Sequence, residues 1–250
     1  METINKVLHG DCLELMKYIP DGSVDMILCD LPYGTTQCKW DTIIPFDKLW
    51  EQYERIIKPN GAIVLTGAEP FSSLLRTSNL KIYKYDWVWD KVKGTGYLNA
   101  KKQPMRNHEI VSVFYKEQCI YNPQKTFGHN KKVSFRKKEL QAEVYGKTNK
   151  DYQYESTERY PRSIQVFSTD TQNSSLHPTQ KPVALNEYLI KTYTNEGDTV
   201  LDNCAGSFTT AIAALNTKRN YICMEKEQKY FEIGEKRITD WHSDKEQRLF

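Results

Sequence analysis

No run in the 250-residue chain approaches the 18 or so apolar residues of a membrane span, and the opening METINKVLHGD holds no apolar leader core. A soluble intracellular protein without a membrane partner is the expectation. The six cysteines (Cys12, Cys29, Cys38, Cys119, Cys204 and Cys223) form no CxxC pair, which argues against thiolate zinc or a disulfide framework and for buried thiols. His177 has no ligand partners at metal-binding spacing, so no metal is expected. A GxGxxG run is also missing, which argues against a dinucleotide cofactor, and there is no internal repeat or low-complexity tract. What is present excludes disorder: aromatic residues reach 12% beside 27% charged ones, and the length suits one sizeable domain carrying an insertion. The net charge of +3 is unevenly spread, because residues 101–165 hold 14 Lys and Arg against 7 Asp and Glu, leaving 21 against 25 elsewhere. A surface that meets phosphate is one reading of that segment; a solvated charged face is the other.

Apolar periodicity divides the chain. Val7 to Asp11 reads as a short strand leading into a helix over 12–18, closed by Pro20-Asp21-Gly22. Val24 to Cys29 is a largely apolar run, the pattern of a strand buried on both faces, and it stops at Asp30. Phe46, Leu49, Trp50, Tyr53, Ile56 and Ile57 recur at helical spacing, Pro59-Asn60-Gly61 closes that element, and Ala62 to Thr66 is the next strand. A short helix from Phe71, a strand over Tyr85 to Trp89, a glycine-containing loop from Lys91 to Gly96 and a strand over Glu109 to Tyr115 follow. Between 117 and 168 the rhythm lapses, which sets an insertion there within a main domain made of 1–116 and 169–250. Pro182 then opens a helix with Val183, Leu185, Tyr188, Leu189 and Tyr193 on one face. Asp198 to Asp202 is a strand, Ser207 to Leu215 a helix, and Tyr221 to Glu225 a strand before a charged helix to about Thr239. Alternating strands and helices predict an α/β fold with a doubly wound, mostly parallel sheet, whose ligands sit beyond the carboxyl ends of the strands.

Three constellations fall at that edge. Asp30-Leu31-Pro32-Tyr33-Gly34 follows the buried strand directly. An exocyclic base amine is a poor nucleophile because its lone pair is delocalised into the ring, so its reaction needs acceptors that hold both N–H groups. The Asp30 carboxylate and the Pro32 carbonyl are such acceptors, and Tyr33 offers a face on which an extruded base can stack. A strand-end turn, with Asp30 as a cap and Tyr33 as packing, reads equally well for the tetrapeptide alone. The second constellation runs from Leu201 to Thr210, a strand, a glycine turn at Gly206 and a helix start, with Glu225 ending the next strand where an acid can accept ribose hydroxyls. A purely structural strand-turn-helix is its alternative. In the third, His177-Pro178-Thr179-Gln180-Lys181-Pro182, Thr179 and Lys181 offer groups for the carboxylate end of an amino-acid cofactor, although a lone Lys in a loop is usually only solvated.

Together these residues resemble the β-group of amino-methylating DNA methyltransferases, the N6-adenine and N4-cytosine enzymes, over nearly the whole chain outside 117–168. The resemblance implies the seven-stranded methyltransferase sheet, S-adenosylmethionine as cofactor, DNA as partner, and methyl transfer to N6 of adenine after base flipping, with Asp30, Pro32 and Tyr33 as catalytic residues. It further implies that Asp202, Gly206, Ser207 and Thr209 surround the methionine part of the cofactor with Cys204 and Asp30 beside them. Glu225 then holds the ribose, Asp11 and Cys12 flank the adenine, and His177, Thr179 and Lys181 belong to the loop ahead of the cofactor strand. The insertion is implied as the target-recognition region, with Lys131, Lys132, Arg136, Lys137 and Lys138 on phosphate and Tyr145, Tyr152, Tyr154 and Tyr160 at base edges. A homodimer and a cytoplasmic site, in a prokaryotic cell or the host of a phage, are implied as well.

The chain departs from the family pattern at four positions. Leu31 replaces the first proline of the usual Asp-Pro-Pro-Tyr. Asn203 and Cys204 replace a usual Pro-Phe. Phe208 stands where a second glycine is common, and its side chain is expected to project where backbone would approach the cofactor. N4-cytosine methylation uses the same machinery, and Asp30, where Ser is common for cytosine, argues for adenine. A C5 enzyme needs a thiolate, typically in a Pro-Cys pair, and none of the ten prolines precedes a cysteine. A non-catalytic nucleic-acid-binding protein with a degenerate fold rests on Leu31 and Phe208, against the intact Asp30, Pro32, Tyr33, Gly206 and Glu225.

Overall fold

The computed structural model describes residues 4–36, 38, 40–136, 141–142, 146–147, 152–169 and 180–247. The chain divides into a main unit of Met1–Asn122 with Ser163–Phe250 and a second unit of Pro123–Arg162. The main unit runs β1 (Lys6–His9), α1 (Cys12–Leu15, prolonged by a 3-10 turn), β2 (Val24–Asp30), α2 (Phe46–Ile56), β3 (Ile57–Gly67), α3 (Phe71–Ser78), β4 (Tyr83–Thr95) and β5 (Arg106–Phe114). The second unit holds β6 (Lys132–Arg136), β7 (Gln141–Ala142), β8 (Gly146–Lys147) and β9 (Tyr152–Ser156). The main unit then resumes with β10 (Ile164–Val166), α4 (Val183–Tyr193), β11 (Thr199–Asp202), α5 (Thr209–Asn216), β12 (Asn220–Glu225) and α6 (Gln228–Gln247).

The main sheet has eight strands in the order β1-β12-β11-β2-β3-β5-β4-β10, and only β5 runs against the others. Seven strands were expected. The eighth, β10, pairs with β4 through Ile164, Gln165 and Val166, three residues that lie inside the stretch read as irregular. A strand this short on a sheet edge has too few alternations to register as periodicity. The second compact unit spans Pro123–Arg162, within the 117–168 stretch set apart as the insertion.

Why β2 sits at the centre is legible in its side chains. Met26 and Leu28 face one core cluster, with Leu189, Tyr193, Ala211 and Ala213 from α4 and α5. Ile27 and Cys29, alternating with them, face the other, with Leu49, Tyr53 and Ile56 of α2 and Phe71 of α3. Pro59-Asn60-Gly61 does not close α2 but bulges the start of β3, where the register against β2 slips between Val24 and Met26. A Cβ on Gly61 would stand 2.8 Å from the Asp25 carbonyl, so the bulge needs glycine.

Phe208 corrects an expectation. Its ring is fully buried, packed edge-on against Phe231 of α6 at 5.9 Å, and does not enter the ligand edge of the sheet. What is unusual is its backbone, with φ 58° in the left-handed region. The glycine common at this position therefore supplies conformation rather than space, and this chain bears about 1 kcal/mol of strain there while burying an aromatic ring. The ring is received by Gly234 of α6, where an added Cβ would overlap it. Gly234→Ala is expected to lower stability by about 1–3 kcal/mol by thermal unfolding, despite alanine's better helix propensity; an unchanged or raised Tm would overturn this packing account.

In the second unit β6 pairs antiparallel with β9 and β7 with β8, and Arg159 donates to the carbonyls of Asn130, Ser156 and Glu158. Among the described residues no helix is long and apolar enough to cross a membrane, and no three His, Cys, Asp or Glu side chains are gathered as for a metal ion.

Candidate active site

Parallel register brings the site together. Leu201 of β11 lies opposite Ile27 of β2, and Asp30 opposite Thr66 of β3, so Asp202, Asp30 and Thr66 end neighbouring strands at one edge, with Glu225 ending β12 beside them. A cleft of about 720 Å³ opens there. Every described residue assigned from sequence to catalysis or cofactor lines it: Asp11, Cys12, Asp30, Pro32, Tyr33, Lys181, Asp202, Cys204, Gly206, Ser207, Thr209 and Glu225. His177 and Thr179 lie outside the described residues.

Asp30 is held on three sides. Its Oδ1 accepts from Tyr33 Oη at 2.6 Å and Thr66 Oγ1 at 2.5 Å, and its Oδ2 lies 2.5 Å from Lys181 Nζ. Lys181 also lies 3.2 Å from Glu109 Oε2, and Lys91 lies 3.2 Å from Glu109 Oε1. Two carboxylates and two ammonium groups thus alternate, with the Trp89 ring about 6 Å from both ammonium nitrogens. Burial would raise the Glu109 carboxyl, but the adjacent Lys181 and Lys91 outweigh it and hold Glu109 below the usual carboxylate range. Burial would lower Lys181, but Asp30 and Glu109 outweigh it and keep the ammonium charged. Burial, Asp30 and Glu109 push the Tyr33 phenol well up, so it stays a donor. One face of its ring is already taken by Phe71, stacked at 4.8 Å.

Sequence placed Lys181 on a cofactor carboxylate; the structure places its ammonium on Asp30 and Glu109. Glu109, Lys91 and Trp89 were not singled out. The signal for Glu109 was there, a lone acid at the mouth of the apolar strand from Ile110 to Phe114. Asp41 was missed too. Its carboxylate accepts the amides of Gly34, Thr35 and Thr36 at 2.7–2.9 Å, closing the loop after the tetrapeptide.

The other end of the cleft is built on Gly206, whose φ of 53° turns the chain between β11 and α5. Glu225 accepts the Gly206 and Glu227 amides, one on each oxygen, at 2.8 Å. Burial raises the Glu225 carboxyl despite those amides. Asp11 caps α1 through Leu13 N and lies 3.2 Å from Lys226. The departures from the family pattern are accommodated: Leu31 is buried in the core, and Asn203 Oδ1 accepts from Tyr53 Oη at 2.5 Å.

Asp202 accepts from Thr210 Oγ1 and Cys204 N, yet burial pushes its carboxyl up to about 6. Its folded value thus exceeds the unfolded value near 4, so its stabilising contribution is complete below about pH 4 and is lost as pH rises through about 6. The Tm of wild type minus that of Asp202→Asn should fall by about 3–5 °C between pH 5 and 7. A constant or rising difference would contradict the buried-acid assignment.

In the second unit, Lys131 pairs with Glu155 at 2.5 Å and Lys132 is exposed. The side chain of Arg136 and all of Lys137, Lys138 and Tyr145 lie outside the described residues.

A doubly wound sheet with a nucleoside-type pocket and a constrained Asp-Leu-Pro-Tyr carboxylate on one cleft defines a base-directed methyltransferase. The comparisons agree. Residues 24–236 match the DNA methylase family of N6 and N4 methyltransferases, and the chain belongs to that family. It is 28% identical to the Type II methyltransferase M.HinfI of Haemophilus influenzae over 95% of this chain and 69% of that one. It is also 28% identical to the DNA adenine methyltransferase YhdJ of Escherichia coli over 93% and 82%. Its fold matches the M1.HpyAVI complex with S-adenosylmethionine at a TM-score of 0.66 and 24% identity, covering 93% of this chain and 98% of that one. The cytosine-N4-specific PvuII DNA methyltransferase matches at 0.65 and 17%, covering 92% and 84%.

Proposed function

We propose that the protein transfers the methyl group of S-adenosylmethionine to N6 of adenine in DNA, with Asp30 and Pro32 as the acceptors for the attacking amine. One observation carries the reading: Asp30, oriented by Tyr33, Thr66 and Lys181, shares a cleft with the Gly206 and Glu225 pocket. The donor set fits the cofactor. Each Glu225 oxygen accepts one backbone amide and keeps a lone pair for a ribose hydroxyl, and the cleft volume lies in the range of small-ligand sites, about 300–1,000 Å³. When bound, S-adenosylmethionine supplies an electrophilic methyl on a sulfonium.

The chain does the rest. The second lone pair of Asp30 Oδ2 accepts one amine N–H and the Pro32 carbonyl the other, which turns the nitrogen lone pair out of the ring plane toward the methyl. Positive charge that develops on nitrogen falls beside the carboxylate, which takes up the proton the amine sheds. Asp202, Cys204, Ser207 and Thr209 enclose the methionine part, and Asp11 and Cys12 the adenine. Lys181 serves Asp30 rather than the cofactor carboxylate. The second unit, with Lys131, Lys132, Arg136, Lys137 and Lys138, reads the target in the cytoplasm of a prokaryotic cell or a phage's host. A homodimer doubles the 29.3 kDa mass by light scattering.

The test is incorporation of tritiated methyl into mixed-sequence duplex DNA, followed by nucleoside separation and sequencing of the modified sites. N6-methyladenine is expected. N4-methylcytosine would move the reading to the sister reaction, and no incorporation with cofactor bound would overturn it.

A further inference from the structure

The hairpin between β4 and β5 rises from the cleft, and its tip has no role in the chemistry above. From Val92 to Arg106 every residue is exposed, and the segment carries Lys93, Lys101, Lys102 and Arg106 without one acidic residue. At its apex stand the two most exposed large apolar side chains of the described residues, Leu98 at 95% and Tyr97 at 79%. Water is a poor place for both unless a partner covers them.

The tip is built to hold its shape. Gly96, at φ 87°, starts a tight turn in which Asn99 and Ala100 donate to the carbonyls of Gly96 and Tyr97, and Lys102 and Gln103 to Asn99. Thr95 Oγ1 donates to the Arg106 carbonyl across its base, and a Cβ on Gly94 would lie 3.0 Å from Met105. Its location is fixed by Trp89, Lys91 and Thr95, all of which line the cleft. Tyr97 and Leu98 follow Thr95 by two and three residues, so they stand within about 10 Å of the cleft rim.

We propose that this tip is a DNA wedge: Lys93, Lys101 and Lys102 sit on backbone phosphates, and Leu98, backed by Tyr97, enters the stack at the space left by the extruded base. The partner follows from charge and shape. A surface of only positive charge around an apolar point matches a polyanion whose interior is apolar and stacked, and an apolar side chain inserted between base steps is a known means of opening a duplex. Once the base is out, the wedge blocks its return, so it acts on extrusion and not on methyl transfer itself.

This inference rests on the methyltransferase reading, and its test separates the two. A duplex bearing the site identified by sequencing is prepared with the target base paired and with it mismatched. Leu98→Ala, at an exposed position, should slow single-turnover methylation of the paired duplex about ten-fold and that of the mismatched duplex by less than about two-fold, since a mismatched base costs less to extrude. Equal loss on both, or loss on neither, overturns the wedge; no methylation by wild type overturns the underlying reading instead. The triple variant Lys93→Gln, Lys101→Gln, Lys102→Gln should make the slope of log affinity against log salt shallower by about 2–3, and an unchanged slope removes the phosphate contacts. If Leu98→Ala abolishes a dimer while leaving both rates intact, the tip belongs to a second copy of the chain and the proposal fails.

Discussion

Asp30→Ala lowers the methylation rate at saturating substrate by about 10³-fold or more while leaving the affinity for S-adenosylmethionine within about three-fold. The size follows from what the carboxylate does at the moment of reaction: it accepts the amine hydrogen and faces the charge that forms on nitrogen. Alanine removes both. Cofactor affinity is spared because Gly206 and Glu225 sit on a different part of the sheet edge, bonded to each other and not to Asp30. Asp30→Asn separates geometry from charge. Its oxygen still accepts from Tyr33 and Thr66, but its amide presents hydrogens to the Lys181 ammonium where Oδ2 now accepts. About 10²-fold loss is expected, measured by single-turnover kinetics with equilibrium cofactor binding alongside. Full activity in the Asn variant would remove Asp30 from the chemistry.

The second large effect lies at Glu109, which touches neither reacting group in this reading. Glu109→Gln should cut kcat about 10- to 100-fold with both KM values changed by less than about three-fold, because it loosens the ammonium that fixes Asp30 rather than any substrate contact. Lys181→Met should do the same. Since both act through the one carboxylate, the double variant should be no slower than the worse single one, a coupling that independent sites do not show. A merely structural ion pair predicts otherwise: lower Tm, additive losses and unaltered kcat in the protein that remains folded. Removing one member of a buried pair typically costs about 3–5 kcal/mol, so Tm is recorded for each variant. Lys181→Arg, which keeps the charge, should recover part of the rate.

How far the sequence foretold this site depends on the distance between partners. The Asp30 loop was legible because a largely apolar run ends abruptly in an acid and a proline, and Glu225 because it ends another such run after a glycine turn. Both signals are local. The network around Asp30 is not: Lys181 comes from 151 residues away, and Glu109 stands 76 residues from Tyr33. Register among β2, β3 and β5 brings Glu109 to Tyr33, and the segment ahead of α4 brings Lys181 to Asp30; no spacing within one segment encodes either meeting. The Asp41 clamp escaped notice for a different reason, since its partners are backbone amides and any sequence supplies those. The sheet was foreseen except at β10, whose three residues gain strand form only by pairing with β4.

Phe208 and Gly234 also bear on how this protein can be recombined. The ring from the head of α5 fills the notch left by a missing side chain on α6, so the two positions form a unit split between segments some two dozen residues apart. A chimera that takes its last helix from a relative with a larger residue at the place of Gly234 inherits a collision, even if every cleft residue is retained. Pairing that helix with a glycine at position 208 removes the collision and relieves the left-handed backbone together. Exchange of the C-terminal segment of this chain is therefore governed by a packing key buried just behind the cleft wall, between Ser207 and Thr209, and not by the cleft residues alone.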